Sequence, residues 1–577
     1  MPNISNKDVA SILNEMAELM ELKGENKFKI RAYYNASRRI DELTDDIKAI
    51  ADRDELESID GIGSGIATAI YEILENGYSP VLEEIKADIP AGVVEMTGIP
   101  GLGPVRARQL YENLGINSLE DLRSALEKRQ IRSLKGFGQK SEEKILKSLN
   151  DYENYMQVHV LFKAILKSEE IKNHLEHNDK ITCLETAGSV RRRKELIGDI
   201  DIIAVSEYGE EVSGYFVSLP FVKEVIVQGS KKTSILTEGN FQVDLRIVSE
   251  EEFPAALQYF TGSREHNVRM REIAKKQGYK LNEYGLFEGE NRIEISDETD
   301  IYEKLGLNYI IPELREDKGE IEAAKEGLLP DSVHYSDIKG DLHVHSRYTD
   351  GAYTIEEIVQ EARRRDYEYI AITDHSQSLH IANGMKPETL FQQWEEIDEL
   401  REKYDDIKIL KGIEVDIDSE GNLDYSDEIL KRLDIVIASI HSGFNQSEEQ
   451  ITKRIISAMN SPYVNVIGHL RGRIMKKRKG YPVNINKVLE AAAKTGTCLE
   501  INASPYRLDI DDIICRQAKE KNIKIAINTD AHHLNEFDDV ILGTAVARRG
   551  WLEKSDIINA METEKLMEFL TLKLIKK

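Results

Sequence analysis

Two aspartates that stand two positions apart in a strand-like run are the first residues here that suggest chemistry. Asp199 and Asp201 lie in the run DIDIIAV, and residues two apart on a strand point to the same face. Asp244, in the alternating run FQVDLRIV, supplies a third carboxylate from a second predicted strand. Three hard oxygen donors on adjacent strands suit two Mg²⁺ ions, which would clamp the attacking and leaving oxygens of a phosphoryl transfer.

A glycine-serine turn, Gly188-Ser189, begins eleven residues before the first aspartate, and Arg191, Arg192 and Arg193 follow it. Backbone N–H groups of such a turn and the guanidinium groups can hold phosphate. An Asp-x-Asp pair alone is more often a surface feature, but the turn at this spacing favours a catalytic centre. These residues resemble the nucleotidyltransferase motif of the family X DNA polymerases, relatives of DNA polymerase beta. The resemblance implies that Gly188, Ser189 and Arg192 hold the triphosphate of a dNTP and that the three aspartates are catalytic Mg²⁺ ligands.

The segment YFTGSREHNVRMR, further along the chain, is similar to the thumb motif of the same family. In isolation it reads as an aromatic pair followed by a basic helix. The resemblance implies that Tyr259 and Phe260 pack against the incoming sugar and that Gly262 leaves room for it. It also implies that Asn267 and Arg271 lie along the minor-groove side of the nascent base pair.

Three short glycine hairpins near the N-terminus each enclose an apolar residue and lead into a predicted helix; the pairs are Gly61 and Gly63, Gly101 and Gly103, and Gly136 and Gly138. Closely spaced glycines let backbone amides approach a DNA phosphate at a helix N-terminus without reading sequence. One such turn could merely join two helices, whereas three in succession indicate helix-hairpin-helix binding of the DNA backbone. Residues 101–150 are also net positive, with ten Lys or Arg against six Asp or Glu.

One position departs from the family pattern. Where the beta-type members carry a Schiff-base lysine after the first hairpin, this sequence has Ala69, and no lysine lies between Arg53 and Lys86. A deoxyribose-phosphate lyase needs a nucleophilic amine there. We therefore do not expect lyase activity from this domain.

A second group of metal-binding residue types stands at successive strand ends in the C-terminal half. It begins with two histidines on one strand face and continues through seven more positions: His343, His345, Asp350, His375, Glu414, His441, His469, Asp530 and His532. A lone buried histidine is usually a core residue, but ligands at the C-terminal ends of parallel strands converge on one mouth of a β/α barrel. The set predicts up to three metal ions, and imidazole with carboxylate ligation suits Zn²⁺ or Mn²⁺.

This half resembles the PHP (polymerase and histidinol phosphatase) domain, a distorted β/α barrel, with all nine ligand positions filled. The resemblance implies one metal held by His343, His345, Glu414 and Asp530, a second bridged by Glu414 and held by His441 and His469, and a third held by Asp350, His375 and His532. Asp350 stands where some relatives use histidine. Such a centre lowers the pKa of a bound water and directs the hydroxide at phosphorus, which implies an active hydrolase.

A chain of 577 residues is expected to form several domains, and the motifs predict a multidomain α+β and α/β protein. The predicted parts are a helical DNA-binding domain at 1–85, fingers at 86–150, a nucleotidyltransferase palm at 151–249, a thumb at 250–315, a linker at 316–336 and a PHP phosphoesterase domain at 337–577.

Composition limits the class of protein and the cellular compartment that are expected. The formal charge of −27 argues against a generally basic nucleic-acid binder but leaves room for local basic patches. No apolar run approaches the roughly 20 residues of a membrane span, and the polar N-terminus carries no secretory signal. The three cysteines, Cys183, Cys498 and Cys515, lack metal-type spacing, which predicts a reducing cytoplasm.

The whole combination resembles the bacterial family X DNA polymerases that carry a C-terminal PHP domain. It implies a monomeric repair enzyme that fills short DNA gaps from dNTPs with Mg²⁺, in base excision repair. The PHP domain would use Mn²⁺ or Zn²⁺ as a 3′–5′ exonuclease, with 3′-phosphatase or AP endonuclease activity in addition. Two alternatives stay open: the PHP half is a small-molecule phosphatase with the DNA half as a tether, or it is an inactive structural module. A DNA-binding scaffold without catalysis is disfavoured because both ligand sets are complete.

Overall fold

Four groups of elements follow one another along the chain, and a computed structural model describes residue 4 and residues 6–41, 43, 46–59 and 61–575. The outer bounds predicted for the first and last domains, residues 1 and 577, lie outside that description. Among the described residues, each group contains one set of residues from the sequence analysis. In chain order these sets are the hairpin glycines, the aspartates with the glycine-serine turn, the thumb motif and the nine metal-binding residues.

The N-terminal group is helical. Its helices are α1 (Asn6–Lys23), α2 (Lys27–Asp41), α3 (Ile47–Asp52), α4 (Ser64–Asn76), α5 (Pro80–Ala87), α6 (Ala91–Met96), α7 (Pro104–Leu114), α8 (Leu119–Glu127) and α9 (Gln139–Gln157). Apolar residues at helical spacing on α1, such as Leu13, Met16 and Met20, are fully buried in one common core, as expected for an amphipathic helix. Ala69 lies buried in α4.

A mixed sheet with flanking helices forms the second group, which is called the palm below after the segment predicted at 151–249. Its elements are β1 (His159–Val160), α10 (Leu161–Leu175), β2 (Cys183–Thr186), α11 (Gly188–Arg191), β3 (Leu196–Ile197), β4 (Asp199–Val205), α12 (Gly209–Val217), β5 (Val222–Val227), β6 (Lys232–Thr237) and β7 (Gln242–Val248). The five-stranded sheet has the order β2-β4-β7-β6-β5. Its central strands, β4 and β7, run parallel, and the other neighbours are antiparallel. Parallel pairing at the centre aligns the starts of β4 and β7, where the acidic residues lie.

The third group packs two helices against a small antiparallel sheet. It comprises α13 (Phe253–Thr261), α14 (Arg264–Lys276), β8 (Tyr279–Asn282), β9 (Gly285–Glu288), β10 (Asn291–Ile293), α15 (Glu298–Lys304) and α16 (Glu320–Glu326). Helix α16 falls inside the segment predicted as a linker. Its Ile321 and Ala324 pack in the thumb core, and its buried Glu320 lies 2.8 Å from the Nδ1 of His266. The first part of that segment is therefore folded onto the thumb.

The C-terminal group alternates strands and helices. Its elements are β11 (Gly340–Val344), α17 (Ile355–Arg364), β12 (Tyr369–Ile372), α18 (Pro387–Lys403), β13 (Lys408–Asp416), α19 (Asp427–Leu430), β14 (Ile435–Ser439), α20 (Glu448–Met459), β15 (Val466–Ile467), α21 (Ile485–Thr495), β16 (Cys498–Asn502), α22 (Asp512–Glu520), β17 (Ile525–Asn528), α23 (Val540–Arg549) and α24 (Thr563–Ile575).

The seven strands of this group form one parallel sheet in chain order, from β11 to β17. They are almost entirely buried, as strands covered on both faces must be, and their sequences are accordingly rich in apolar residues. Buried polar residues such as His343 and Glu414 interrupt the apolar runs. A parallel bridge between Val344 and Ala531 brings the two outer strands together, so the sheet curls into a nearly closed barrel. The predicted fold class is confirmed.

Polar contacts join the barrel to the palm and thumb. Arg473 lies 2.5 Å from Glu195 of the palm, and Arg548 of α23 donates a hydrogen bond to Glu313 at 2.8 Å. Arg473 and Glu195 are both largely buried, which argues that this contact is part of the folded interface and not a solvent-exposed pair. In the part of the chain described, helices long and apolar enough to cross a lipid bilayer are absent.

Candidate functional site

The three predicted aspartates lie together on the two central palm strands. The register pairs Asp201 of β4 directly with Asp244 of β7, and Asp199 is two residues before Asp201 on the same face. Burial, followed by the charges of Asp199 and Asp244, raises the pKa of Asp201 to about 7. The pKa of Asp199 is raised by the same two kinds of cause, burial and then a neighbouring carboxylate, Asp244. Carboxylates that repel one another in this way are stabilised when a divalent cation binds between them.

Asp244 differs from the other two because it has cationic neighbours. Its Oδ2 lies 2.6 Å from the Nζ of Lys232 and 3.8 Å from an Nη of Arg246. Burial alone would raise the pKa of Asp244, but the hydrogen bond from Lys232 leads the contacts that bring it below the ordinary value. Sequence reasoning missed Lys232, which faces the aspartate from strand β6. Only the antiparallel pairing of β6 with β7 would have indicated that Lys232 lies near Asp244.

The predicted phosphate turn is the start of the short helix α11, directly beside Asp201. Gly188 has a φ of +61°, and a Cβ at this position would lie 2.2 Å from the Oδ2 of Asp201. Only glycine fits such a conformation and such an approach without strain. The Oγ of Ser189 is buried without a hydrogen-bond partner among the described residues. A buried hydroxyl left unpaired is costly, so this atom fits the binding of a phosphate oxygen.

The three consecutive arginines after the turn have different surroundings. Arg191 is bound to the buried Glu298 at 2.5 Å and so connects the palm to the thumb. Arg192 donates to the carbonyl oxygen of Thr261, and its Nε donates to Glu316 at 3.0 Å. Arg192 alone of the three lines the cavity in front of the aspartates. Arg192 is therefore the one of the three that faces this cavity, and its phosphate role stays a prediction.

A cavity of about 330 Å³ collects most of the predicted polymerase residues. Palm and thumb both contribute to its lining: Gly188, Ser189, Arg192, Asp199, Asp201, Tyr259, Phe260, Gly262, Arg264, Asn267 and Arg271. The amide of Asn267 is also engaged within the thumb, donating to the carbonyl of Tyr259 and accepting from Gln258. Arg264 was not predicted. It is the first residue of α14, whose N-cap is Ser263, and its position between Gly262 and Asn267 was the available signal.

The first glycine of each N-terminal hairpin has a left-handed φ, at +89° for Gly61, +96° for Gly101 and +91° for Gly136. The second glycine immediately precedes a helix in each case: Gly63 precedes α4, Gly103 precedes α7 and Gly138 precedes α9. A Cβ at Gly63, Gly103 or Gly138 would meet nothing within 4 Å. The turns are thus open toward solvent, with helix N–H groups behind them, which is the geometry that receives a phosphate.

The nine predicted ligands of the barrel converge at the C-terminal ends of its strands. His343 lies in β11, Glu414 in β13, and the other seven follow strand ends. Eight of these side chains form three groups whose donor atoms lie within 4.8 Å of one another: His345, Asp350, His375 and His532; His343, His345 and Asp530; and His375, Glu414 and His441. His469 belongs to none of the three groups but lies 3.0 Å from Glu414. The groups overlap at His345 and His375, where the resemblance had assigned each histidine to a single metal.

Glu414 is at the centre of this cluster. Its carboxylate lies 2.8 Å from His375, 3.0 Å from His469 and 3.4 Å from His441. Burial would raise the pKa of Glu414, but the surrounding histidines hold it well below the ordinary value. Conversely, burial, followed by the charges of His532 and His375, lowers the pKa of His345 to about 4. Burial opposes protonation of His343, His375 and His441 as well, but the neighbouring carboxylates raise the pKa of all three. A metal ion that binds here would therefore displace protons from these imidazoles.

The donor atoms themselves test whether this cluster fits metal ions. His343 Nε2, His345 Nδ1 and His469 Nδ1 are buried without a hydrogen-bond partner in the described part of the chain. Several unsatisfied polar atoms packed in one place would be destabilising on their own. The nitrogen and oxygen donor set fits Zn²⁺ or Mn²⁺.

Two acidic residues behind the ligands were missed by sequence reasoning. Glu500 Oε1 lies 2.7 Å from His343 Nδ1, and Asp416 Oδ1 lies 3.1 Å from His441 Nδ1. Partners of this kind fix the orientation of a metal-ligating histidine. Both acids could have been noticed as charged residues within buried apolar strands, β13 and β16.

Comparisons with known proteins agree with these sites. Family models match the helix-hairpin-helix domain at residues 4–79, the SAM-like helix-hairpin-helix tandem at 93–151, the DNA polymerase beta thumb at 256–316 and the PHP domain at 341–504. The first two matches lie in the N-terminal helical group, the third in the third group and the fourth in the barrel.

Among similar proteins, the DNA polymerase/3′-5′ exonuclease PolX of Bacillus subtilis (strain 168) is 39% identical over 569 residues, which cover 98% of this chain and 99% of the relative. A probable phosphatase of Thermoanaerobacter sp. (strain X514) is 36% identical over 244 residues, 40% of this chain and 93% of the relative. A probable phosphatase of Caldanaerobacter subterraneus subsp. tengcongensis is 37% identical over 219 residues, 35% of this chain and 80% of the relative. Because the first of these relationships spans both chains almost completely, this chain belongs to the bacterial family X DNA polymerases that carry a C-terminal PHP domain.

Proposed function

We propose that this enzyme is a DNA-directed DNA polymerase that fills short gaps and that its barrel is a 3′–5′ exonuclease. The observation that carries the polymerase half is the pairing of Asp201 with Asp244 on adjacent parallel strands at a cavity shared by the phosphate turn and the thumb. The name of the Bacillus subtilis relative, a DNA polymerase and 3′–5′ exonuclease, supports both activities.

In the polymerase reaction, Asp199, Asp201 and Asp244 would hold two Mg²⁺ ions, which when bound stabilise the charge on the attacking and leaving oxygens. The Gly188 turn, the Ser189 hydroxyl and Arg192 bind and orient the triphosphate. Tyr259 and Phe260, with ring centroids 5.2 Å apart, support the sugar, and Gly262 leaves space for it. Asp244 accepts the proton of the primer 3′-hydroxyl as the α-phosphorus is attacked and pyrophosphate leaves. Asn267 and Arg271 contact the minor-groove side of the new pair.

In the hydrolytic reaction, the nine histidine and acidic residues would hold up to three Mn²⁺ or Zn²⁺ ions, which supply an activated water at neutral pH. Glu500 and Asp416 orient His343 and His441. Arg507 lines the same cavity as seven of the ligands and is the cation available for a phosphate. We extend the proposal to 3′-phosphatase or AP endonuclease action by the same residues.

The exposed hairpins favour a repair role, because they contact the DNA backbone without sequence readout. We propose base excision repair in the cytoplasm, by a monomer acting on gapped DNA and dNTPs. End cleaning by the barrel and gap filling by the palm would then be carried out by one polypeptide.

Primer extension on a one-nucleotide gap tests the polymerase proposal. Asp244→Asn should lower extension with Mg²⁺ by at least about a hundredfold, because a metal ligand is worth several kcal/mol in the transition state. The matched control is Glu224→Gln, on the exposed edge strand β5 of the same sheet, which should extend normally. Full activity of Asp244→Asn would contradict the assignment.

The probable phosphatases among the relatives give a second candidate function to the barrel, hydrolysis of a small phosphate ester. A competition experiment distinguishes the exonuclease function from the phosphatase function. With Mn²⁺ and a labelled DNA strand, an excess of ribose 5-phosphate should leave strand shortening unchanged if the DNA end is the substrate. Preferred turnover of the sugar phosphate would support the phosphatase instead.

A further inference from the structure

A groove leads from the metal-ligand cluster of the barrel to a helix of the palm. Its volume is about 650 Å³, and it is lined by the loop 504–507 of the barrel and by Phe162 and Leu166 of helix α10. Arg507, Asp530 and His532 line both this groove and the smaller cavity of about 200 Å³ that contains the cluster. The two spaces therefore adjoin at these three residues, which places the palm helix next to the mouth of the cluster.

The palm side of the groove is apolar. Phe162 and Leu166 are four residues apart on α10, so they lie on the same face of the helix. Leu166 is 54% exposed, although it is at the junction of two domains. Across the groove, Tyr506 is 38% exposed, and the Nζ of Lys163 lies 5.8 Å from its ring centroid. An aromatic ring facing an apolar helix surface is the kind of arrangement on which a nucleobase stacks.

Charge divides the groove into two parts. At the cluster, Arg507 lies 3.7 Å from Asp530. Its guanidinium group is the positive charge there that a phosphate of the substrate could contact. Farther along, the lining contains Glu536, Asp538 and Asp539, which disfavour a further phosphate. The occupant that fits therefore has one phosphate at the cluster and an uncharged, ring-containing body beyond it.

We propose that this groove binds the 3′-terminal nucleoside of a single DNA strand. The terminal base lies against Tyr506 and the Phe162–Leu166 face of α10, and Arg507 directs the adjoining phosphodiester to the ligand cluster. The assignment rests on the proposed exonuclease function and deepens it, because it makes a palm helix part of the substrate site of the barrel.

The comparison with single-domain relatives supports this division of roles. The probable phosphatase of Thermoanaerobacter sp. has 93% of its length within 244 matched residues, which leaves it no room for a palm. A wall equivalent to α10 is therefore a feature of the two-part chain. Selection of a strand end over a small phosphate ester would come from this wall, outside the PHP domain.

Two groove variants test the proposal by comparing an oligonucleotide with a phosphodiester that has no nucleoside. Leu166→Asp and Tyr506→Ala are compared with Ile513→Asp, a control at an apolar residue of the barrel that is 56% exposed and lines neither space. The substrates are a labelled single-stranded oligonucleotide and bis(p-nitrophenyl) phosphate, each with Mn²⁺. Because stacking of one base is worth about 1–3 kcal/mol, both groove variants should raise the KM for the oligonucleotide by roughly tenfold or more.

The same variants should hydrolyse bis(p-nitrophenyl) phosphate and fill gaps as the wild type does, and Ile513→Asp should be unchanged in every assay. An equal loss on both substrates would show a structural effect on the barrel and overturn the proposal. An unchanged KM for the oligonucleotide in both groove variants would overturn it as well.

Binding without hydrolysis separates this proposal from the exonuclease proposal itself. The oligonucleotide has 2-aminopurine at its 3′ end, joined by a phosphorothioate, and is titrated in Ca²⁺. Wild type should quench the terminal base, Tyr506→Ala should not, and 2-aminopurine placed well inside the strand should show no dependence on Tyr506. If wild type hydrolyses only the small ester, the exonuclease proposal fails while Tyr506-dependent quenching still supports the groove. Equal quenching by wild type and Tyr506→Ala would refute the groove.

Discussion

At the scale of single residues, the polymerase site depends on how closely two groups approach. Gly188 and Asp201 are so near that a single added carbon would overlap the carboxylate. Ser189, next in the chain, has a buried hydroxyl without a hydrogen-bond partner among the described residues. The turn and the carboxylates therefore form one unit, in which neither part can move without the other.

Gly188→Ala should abolish most gap filling. The alanine Cβ either displaces the Asp201 carboxylate or forces the turn open, and a strained left-handed residue costs about 1–3 kcal/mol in addition. We expect a fall in kcat/KM for dNTP of at least about tenfold, measured by single-nucleotide extension. Gly198→Ala is the matched control, because a Cβ there meets nothing within 4 Å. Equal loss in both variants would contradict the close-approach argument.

Asp201 gives a pH dependence of stability with a definite sign. Its pKa, about 7 in the folded chain against the ordinary 3.8, means that the folded state binds this proton more tightly than the unfolded state. The carboxyl contributes stability fully below the lower value, and the contribution is lost as the pH rises through the upper one. In EDTA, the Tm of wild type minus that of Asp201→Asn should therefore fall between about pH 4 and pH 7. Mg²⁺ should restore the difference at the higher pH; a Tm difference that is constant across this range would contradict the account.

At the scale of elements, helix α23 connects the barrel to the phosphate site of the polymerase. Its Arg549 donates to the carbonyl oxygen of Arg192 at 2.9 Å and to Glu316 at 3.1 Å, and Glu316 accepts the Nε of Arg192 at 3.0 Å. Glu316 is thus a common partner of one arginine from each domain. This contact fixes the orientation of Arg192 in front of the cavity.

Arg549→Met should raise the KM for dNTP with a smaller change in kcat, because it loosens a binding residue without touching the aspartates. The loss of one or two hydrogen bonds between charged groups should raise this KM by about tenfold. Arg548→Met is the matched control, since the neighbouring Arg548 contacts Glu313 and the carbonyl of Val333 instead. Steady-state kinetics on gapped DNA measure both; an unchanged KM in Arg549→Met would show that Arg192 is positioned without α23.

The hairpins permit a test in which stability and DNA binding change in opposite directions. Gly103 is the N-cap of α7 with an extended backbone and open space around it, so Asp there is tolerated and caps the helix better than glycine. It also places a negative charge where DNA phosphate is expected. Gly103→Asp should weaken affinity for gapped DNA by about tenfold at low salt without lowering Tm, whereas Gly103→Asn, uncharged and similar in shape, should bind as wild type. Equal affinities of the Asp and Asn variants would remove α7 from the DNA interface.

The elements also show which parts of the fold and sites can be predicted from sequence. Alternation in two strands was sufficient to place Asp199, Asp201 and Asp244 on one face, because the period of a strand is two residues. The partners Lys232, Glu500 and Glu316 could not be found in this way, because each meets its target through strand pairing or domain contact far away in sequence. Helix α16 was missed because its charged composition suggests solvent, while Glu320 is buried by pairing with His266.

At the scale of the whole molecule, one chain contains two separate carboxylate-based centres and a contact network between them. The polymerase centre lies between palm and thumb, and the hydrolytic cluster lies at the mouth of the barrel. The barrel in turn contacts the palm through Arg473 and Glu195. This arrangement predicts that either chemistry can be removed while the other is retained.

The most direct test uses one labelled primer in a one-nucleotide-gapped DNA with three proteins: wild type, Asp199→Ala with Asp201→Ala, and His343→Ala with His345→Ala. With dNTPs and Mg²⁺, extension should be lost only in the aspartate variant. With Mn²⁺ and no dNTP, primer shortening should be lost only in the histidine variant. Shortening that persists in the histidine variant, or extension that persists in the aspartate variant, would contradict the assignment of two independent centres.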